Sequence, residues 1–264
     1  MTKPYYETKL GKLYHGDCLE IMPQLKSIDL ILTDPPYGTT ACKWDSIIPF
    51  ILLWDNYKKL IKKNRAIVLF GSEPFSSALR MSNINWFKYD WIWDKVKPSG
   101  FQIAKYLPMK RHEIISVFCE GSPLWFPIKE MRKKSISGKV ACKSDSSPLA
   151  YIDNKTRTYD DKNPQSILKY SKTLDGKHIH PTQKPVALFQ YLIKTYSKKN
   201  DLILDNCIGS GTTALACENL NRRWIGIDLK EKYCQQAAER IDRLQTQDSK
   251  PHSNVKRKGM RPYL

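Results

Sequence analysis

Apolar and polar positions along this chain follow two periods. Short apolar runs, which predict strands, alternate with segments whose apolar residues recur every three or four positions, which predict helices. Lys12-Leu13-Tyr14-His15 reads as a strand and Cys18 to Leu25 as a short helix. Ile28-Asp29-Leu30-Ile31-Leu32-Thr33 is a strand that stops at Asp34-Pro35-Pro36-Tyr37-Gly38. Residues 46 to 62 have helical spacing, and Ala66 to Gly71 is continuously apolar, as in a strand buried on both faces. Tyr89 to Trp93 and Ile114 to Phe118 predict two more strands. This alternation predicts an α/β fold.

The pattern breaks at about residue 120. Residues 121–176 hold eleven Lys or Arg, six Asp or Glu, four prolines and eight serines without sheet periodicity, which predicts a loop-rich insert. Regularity returns at Pro185, a favourable first helical position, followed by Val186, Phe189, Leu192, Ile193 and Tyr196 at helical spacing. A strand, Leu202 to Asp205, a Gly-rich turn and a helix from Thr212 come next. The strand Trp224 to Asp228 then precedes a helix with Tyr233, Ala237, Ile241 and Leu244 on one face. The expected division is a core of 1–120 and 177–245, an insert of 121–176 and a basic tail of 246–264. After Asp248 the tail has five basic residues and no acidic one, which predicts a disordered arm.

Composition narrows the class. At 41% hydrophobic and 27% charged, the 264 residues are ordinary for a globular chain. No apolar stretch approaches the ~20 residues of a membrane helix, and the N-terminus lacks a secretory pattern, so the expected location is cytoplasmic. The seven cysteines form no Cys-x-x-Cys pair, and His178-x-His180 has no third ligand nearby, so no metal is expected. A net charge of +18, from 44 basic and 26 acidic residues, favours a polyanionic partner, nucleic acid above all.

Two constellations carry chemistry. In the first, strand, Gly-rich turn, helix and strand end on an acid, Asp228, placed about where a ribose-binding acid stands in dinucleotide folds. Gly209 and Gly211 allow a tight turn and a close approach to a ligand. The turn Gly209-Ser210-Gly211-Thr212-Thr213 lacks the lysine of a phosphate loop, and Asp205 repels phosphate but pairs with an ammonium. A ligand with a positive amino group and a ribose fits.

In the second, Asp34-Pro35-Pro36-Tyr37 sits at the carboxyl end of an apolar strand, where open α/β sheets place their ligands. The prolines stiffen the loop. Asp34 and the Pro35 carbonyl accept the two hydrogens of an amino group and so direct its lone pair, and Tyr37 offers a face to a base drawn from a duplex.

In these motifs the chain resembles the DNA amino-methyltransferases with permuted motif order, the beta group. The resemblance covers nearly the whole chain except 121–176 and the tail. It implies a Rossmann-like, S-adenosylmethionine-dependent methyltransferase fold with a mixed seven-stranded sheet and circularly permuted order. It also implies a catalytic Asp34-Pro35-Pro36-Tyr37 and a target-recognition region at 121–176. By the same resemblance Asp17 lies beside the cofactor adenine, Asp205 faces its amino acid end, and Asp228 meets its ribose. Cys207 stands where an aromatic wall is usual, and Gly209, Gly211 and Thr212 line the cofactor loop. Within His180-Pro181-Thr182-Gln183-Lys184-Pro185, Thr182 and Lys184 hold the methionine carboxylate.

The expected reaction is direct methyl transfer to a flipped base in duplex DNA, at adenine N6, because an aspartate usually opens this loop in adenine enzymes. Cytosine N4, RNA and a protein amide are the alternative acceptors, and a non-enzymatic DNA-binding protein is the alternative class. A second copy of the chain and a cognate restriction endonuclease are the expected protein partners.

Overall fold

The computed structural model describes residues 2–39, 45–141, 152–171 and 183–248. The main sheet is built of β1 (Tyr6–Glu7), β2 (Gly11–His15), β3 (Leu30–Thr33), β4 (Ile67–Gly71), β5 (Phe87–Ser99), β6 (Lys110–Phe118), β9 (Ile167–Lys169), β10 (Leu202–Asp205) and β11 (Arg223–Asp228). A separate pair, β7 (Glu130–Ala141) and β8 (Ile152–Lys162), forms an antiparallel two-stranded sheet. The helices are α1 (Cys18–Ile21), α2 (Phe50–Leu60), α3 (Phe75–Ser82), α4 (Val186–Tyr196), α5 (Thr212–Leu220) and α6 (Glu231–Asp248).

The strand order is β1-β2-β11-β10-β3-β4-β6-β5-β9. The expected seven-stranded mixed sheet is its centre, β2 to β5, with short β1 and β9 added at the two edges. From β2 to β4 all pairings are parallel, and β6 runs antiparallel to both β4 and β5. Successive side chains of a strand point to opposite faces, and here each face has its own core. Leu30, Leu32, Val68, Phe70, Trp91 and Trp93 pack on one side with α4, α5 and α6. Ile31, Ile67, Leu69 and Leu204 pack on the other with α1, α2 and α3. The unbroken apolar runs of β3 and β4 follow from burial on both faces.

Two features differ from the periodicity reading. Residues 121–176 contain β7, β8 and β9, and β9 joins the main sheet beside β5. The start of that stretch also packs on the core, where Trp125 stacks on Trp91 with centroids 5.7 Å apart. The strand signal was weak because the described side chains of β7 and β8 are exposed or half-buried, so no buried face selects alternating apolar residues among them. Helix α3 was also missed. It is short, three of its eight residues are serines, and only Phe75, Ser76 and Leu79 are buried, too few to set a helical period. Helix α6 runs through Asp248, and the tail beyond it lies outside the described residues.

Parallel strands bring their carboxyl ends to one edge. His15, Asp228, Asp205, Thr33 and Gly71 end β2, β11, β10, β3 and β4 there, so the residues after each strand meet across a single crevice.

Candidate active site

That crevice is a cleft of about 480 Å³ bordered by both constellations. Asp34, Pro35, Pro36 and Tyr37 form one wall, with Asp205, Cys207, Gly209, Thr212, Asp228 and Asp17 on the others. Residues more than 150 positions apart are thus brought together. Thr182, His178 and His180 lie outside the described residues. Among the described residues no group of three or more His, Cys, Asp or Glu is placed to hold a metal ion, and no helix is long and apolar enough to cross a membrane.

On the cofactor wall, Asp205 is buried, accepting from the Thr213 hydroxyl and, at 3.1 Å, from the Cys207 N–H. Burial pushes its carboxyl up to about 7, against those two donors, and the negative charge of Asp34 adds to the rise. A buried acid with no cation paired to it among the described residues suits an incoming ammonium. Asp228 accepts from the N–H groups of Gly209 at 2.9 Å and Lys230 at 2.8 Å, and burial raises its pKa as well. These bonds lock the turn against the end of β11. Gly211 has φ +80, and a Cβ there would lie 2.8 Å from the Ala237 Cβ, so α6 packs directly on the turn. A Cβ at Gly209, with φ +51, would meet nothing within 4 Å, because it borders the open cleft. Asp17 caps α1 by accepting from the Leu19 N–H at 2.8 Å. The Cys207 thiol meets that of Cys18, and this contact, with burial, raises Cys207 well above the usual thiol range. It is therefore a neutral wall rather than a nucleophile.

These residues fit S-adenosylmethionine. Asp205 and Asp228 offer two buried carboxylates to a ligand with an ammonium and a ribose, with Asp17 and the turn at Gly209 also on the lining, whereas Gly211 faces α6 instead.

On the catalytic wall, the Tyr37 hydroxyl donates to Asp34 Oδ1. The Tyr37 ring stacks on Phe75, with centroids 5.1 Å apart, so one face is already covered. Lys184 differs most from its expected role. Its Nζ donates to Asp34 Oδ2 at 2.6 Å and lies 3.1 Å from Glu113 Oε2, rather than standing free for a cofactor carboxylate. Burial disfavours the Lys184 charge, but Asp34 and Glu113 outweigh it and raise the pKa above the ordinary lysine value. The rings of Phe70, Tyr37 and Trp93 surround the ammonium at 5.4, 5.8 and 5.9 Å. Glu113 is in turn 3.6 Å from the buried Lys95, which makes an alternating chain Lys95–Glu113–Lys184–Asp34.

Sequence reasoning missed four site residues. Asp45 accepts from the N–H groups of Tyr37, Gly38 and Thr39 at 2.8, 2.9 and 2.9 Å, and so pins the catalytic loop. Asn206 accepts from Thr33 at 3.0 Å and Tyr57 at 2.6 Å, which ties β3 to β10 between the two aspartates. Arg240 of α6 reaches Ser210 Oγ at 3.0 Å and braces the cofactor turn. Glu113 is the fourth, and the one signal for it was an acid opening the apolar run of β6.

The DNA methylase family profile matches residues 28–239, most of the chain. The chain belongs to that family. The methylase is 28% identical over 253 residues to the Type II methyltransferase M1.MboII of Moraxella bovis, covering 87% of this chain and 95% of that protein. The Type II methyltransferase M.HinfI of Haemophilus influenzae is 28% identical over 285 residues, covering 96% and 73%. Among solved structures, the M1.HpyAVI–SAM complex superposes with a TM-score of 0.58 at 26% identity, over 88% of this chain and all of that one (100%). The cytosine-N4-specific PvuII DNA methyltransferase superposes with a TM-score of 0.68 at 20% identity, over 91% and 89%, a likeness of fold alone. The methylase is an S-adenosylmethionine-dependent DNA methyltransferase of the beta group, with its catalytic motif ahead of its cofactor motif.

Proposed function

We propose that the methylase transfers the methyl group to N6 of adenine in duplex DNA, within a restriction–modification pair. The observation that carries this reading is that the Asp34 carboxylate lines one cleft together with Asp205 and Asp228. Bound S-adenosylmethionine would supply an electrophilic methyl group, its S–CH3 bond breaking to leave S-adenosylhomocysteine as the N–C bond forms, and the amino nitrogen would lose one proton to solvent. The chain's own residues do the rest. Asp34 and the Pro35 carbonyl accept the two amino hydrogens and aim the nitrogen lone pair. Each carboxylate oxygen accepts more than one hydrogen bond, so Asp34 keeps capacity beside Tyr37 and Lys184. Pro36 stiffens the loop, and the free face of Tyr37 receives the base. Catalysis comes from proximity and polarisation, without a covalent intermediate.

Other parts take supporting roles in this reading. The β7–β8 pair is the target-reading element, and Arg132, Lys133 and Lys134 on β7 contact phosphates. The basic tail adds sequence-independent affinity. Thr182 joins the cofactor site, and a cognate endonuclease and a second copy of the chain are its protein partners in a bacterial cytoplasm. The relatives named as Type II methyltransferases support the restriction partner.

Nucleoside mass spectrometry of DNA treated with the purified protein tests the base, with N6-methyladenine expected. N4-methylcytosine would overturn the adenine assignment and leave the fold and the transfer chemistry standing.

A further inference from the structure

Strands β5 and β6 continue past the main sheet as a two-stranded ribbon. Ile114 of β6 pairs with Gly71, the last residue of β4, and Lys110 pairs with Ser99 of β5. Four residues of β6 therefore project roughly 13 Å beyond the edge where Asp34 sits, at ~3.3 Å per residue. The base of the ribbon is the catalytic network itself, since Lys95 and Glu113 belong to it. Asp94 stiffens the ribbon by accepting from Arg111 Nε at 2.8 Å and Nη2 at 3.0 Å. The tip folds on itself through Ile103 N–H to Gly100 at 3.1 Å and Tyr106 N–H to Ile103 at 2.9 Å. It is a formed knob.

Its surface is unusual. Every residue from Val96 to His112 is exposed, with four Lys or Arg and no Asp or Glu among them. Phe101 is 81% exposed, Tyr106 77% and Leu107 58%, and Lys105 lies 5.9 Å from the Tyr106 ring centroid. Large apolar side chains held in water at a functional edge mark a binding surface. A second copy of this chain, at net +18, would bring like charge against the knob. A duplex that has lost a base from its stack offers a polyanionic rim around an apolar gap, which matches both features.

Resting on the DNA reading above, we infer that the ribbon tip enters the duplex beside the displaced base. Phe101 and Tyr106 fill the gap and Lys97, Lys105 and Lys110 meet the flanking phosphates. The test uses the site mapped by methylation-sensitive sequencing of DNA from cells expressing the protein. Phe101→Ala, Tyr106→Ala and the double variant are assayed on a matched duplex and on one with an abasic position opposite the target base. In the second duplex the base is already weakly held. The double variant should lose at least about tenfold in kcat/KM on the matched duplex and stay within about threefold of wild type on the abasic one. Cofactor Kd and melting temperature should not move. Equal loss on both duplexes, or no loss on either, overturns the inference. So does a change in sedimentation coefficient, which would make a second copy the occupant. Failure of the wild-type protein to methylate either duplex removes the DNA reading, and the inference with it.

Discussion

The Lys184 ammonium stands 2.6 Å from Asp34 Oδ2, across 150 positions of sequence, so the segment that opens α4 holds the proposed catalytic carboxylate. Glu113 completes the contact from β6. Lys184 thereby becomes a positioning residue for Asp34 as well as a member of the cleft wall.

If Lys184 acts on Asp34, then Lys184→Met should lower kcat by at least about tenfold and leave the S-adenosylmethionine Kd within about threefold. It should also lower stability by roughly 3–5 kcal/mol, the usual result of stranding a buried partner charge. Glu113→Gln should show the same kinetic split with a comparable stability loss, because it neutralises the buried carboxylate that both Lys95 and Lys184 approach. A large rise in cofactor Kd with kcat intact would return Lys184 to the methionine carboxylate. Asp34→Ala sets the limit of the kinetic effect and should abolish transfer while leaving cofactor binding nearly unchanged. Asp228→Ala should weaken cofactor binding first.

The Asp205 carboxyl ionises at about 7 when folded, against ~4 unfolded. The folded state holds the extra proton between these values, so this group's contribution to stability declines as pH rises from ~4 to about 7. An incoming ammonium favours the ionised form, so cofactor affinity should rise over the upper part of that window. The expected slope is about tenfold per pH unit below 7, levelling off above it. Asp205→Asn should flatten the profile and raise the melting temperature at pH 8. Calorimetric titration between pH 5.5 and 8 measures this, and a level Kd in the wild-type protein would sever Asp205 from the ammonium.

Asp45 gathers three consecutive N–H groups of the catalytic loop. Asp45→Ala removes their shared acceptor from a turn in which Gly38 and Thr39 are exposed to water, at a cost of roughly 0.5–1.5 kcal/mol. Turnover should fall more than tenfold, because Tyr37 and Asp34 lose their register, while cofactor binding persists. Differential scanning calorimetry and single-turnover transfer give the two readouts. Full activity in this variant would make the loop self-supporting.

Gly11 of β2 faces the Trp224 indole so closely that an added Cβ would lie 2.1 Å from the ring. The ring cannot retreat freely, since its Nε1 donates to Glu218 at 2.8 Å and the residue is buried. Gly11→Ala should cost roughly 1–3 kcal/mol through overpacking, at about 2–4 °C of melting temperature per kcal/mol. Thermal unfolding checks it, and an unchanged midpoint would mean that β2 shifts away from β11.

Sequence alone determined most strands of both halves and the two motifs, though neither short β1 nor the order of strands in the sheet, because burial on both faces of a parallel sheet demands unbroken apolar runs such as Ile67 to Phe70. It also marked Asp34, Asp205 and Asp228, since acids placed directly after such runs have no reason in the core. Tertiary structure alone decided what those acids touch. Lys184 reads from sequence as a helix-opening cation, and only the packing of α4 beside β3 and β6 places it between Asp34 and Glu113. Asn206 and Arg240 were illegible for the same reason, whereas Asp45 makes only local bonds to Tyr37, Gly38 and Thr39 and was missed because a loop acid has no periodic position to mark it. A polar residue's function here depends on partners up to 173 positions away, as for Asn206 and Thr33, and local periodicity reports only which face of an element is buried.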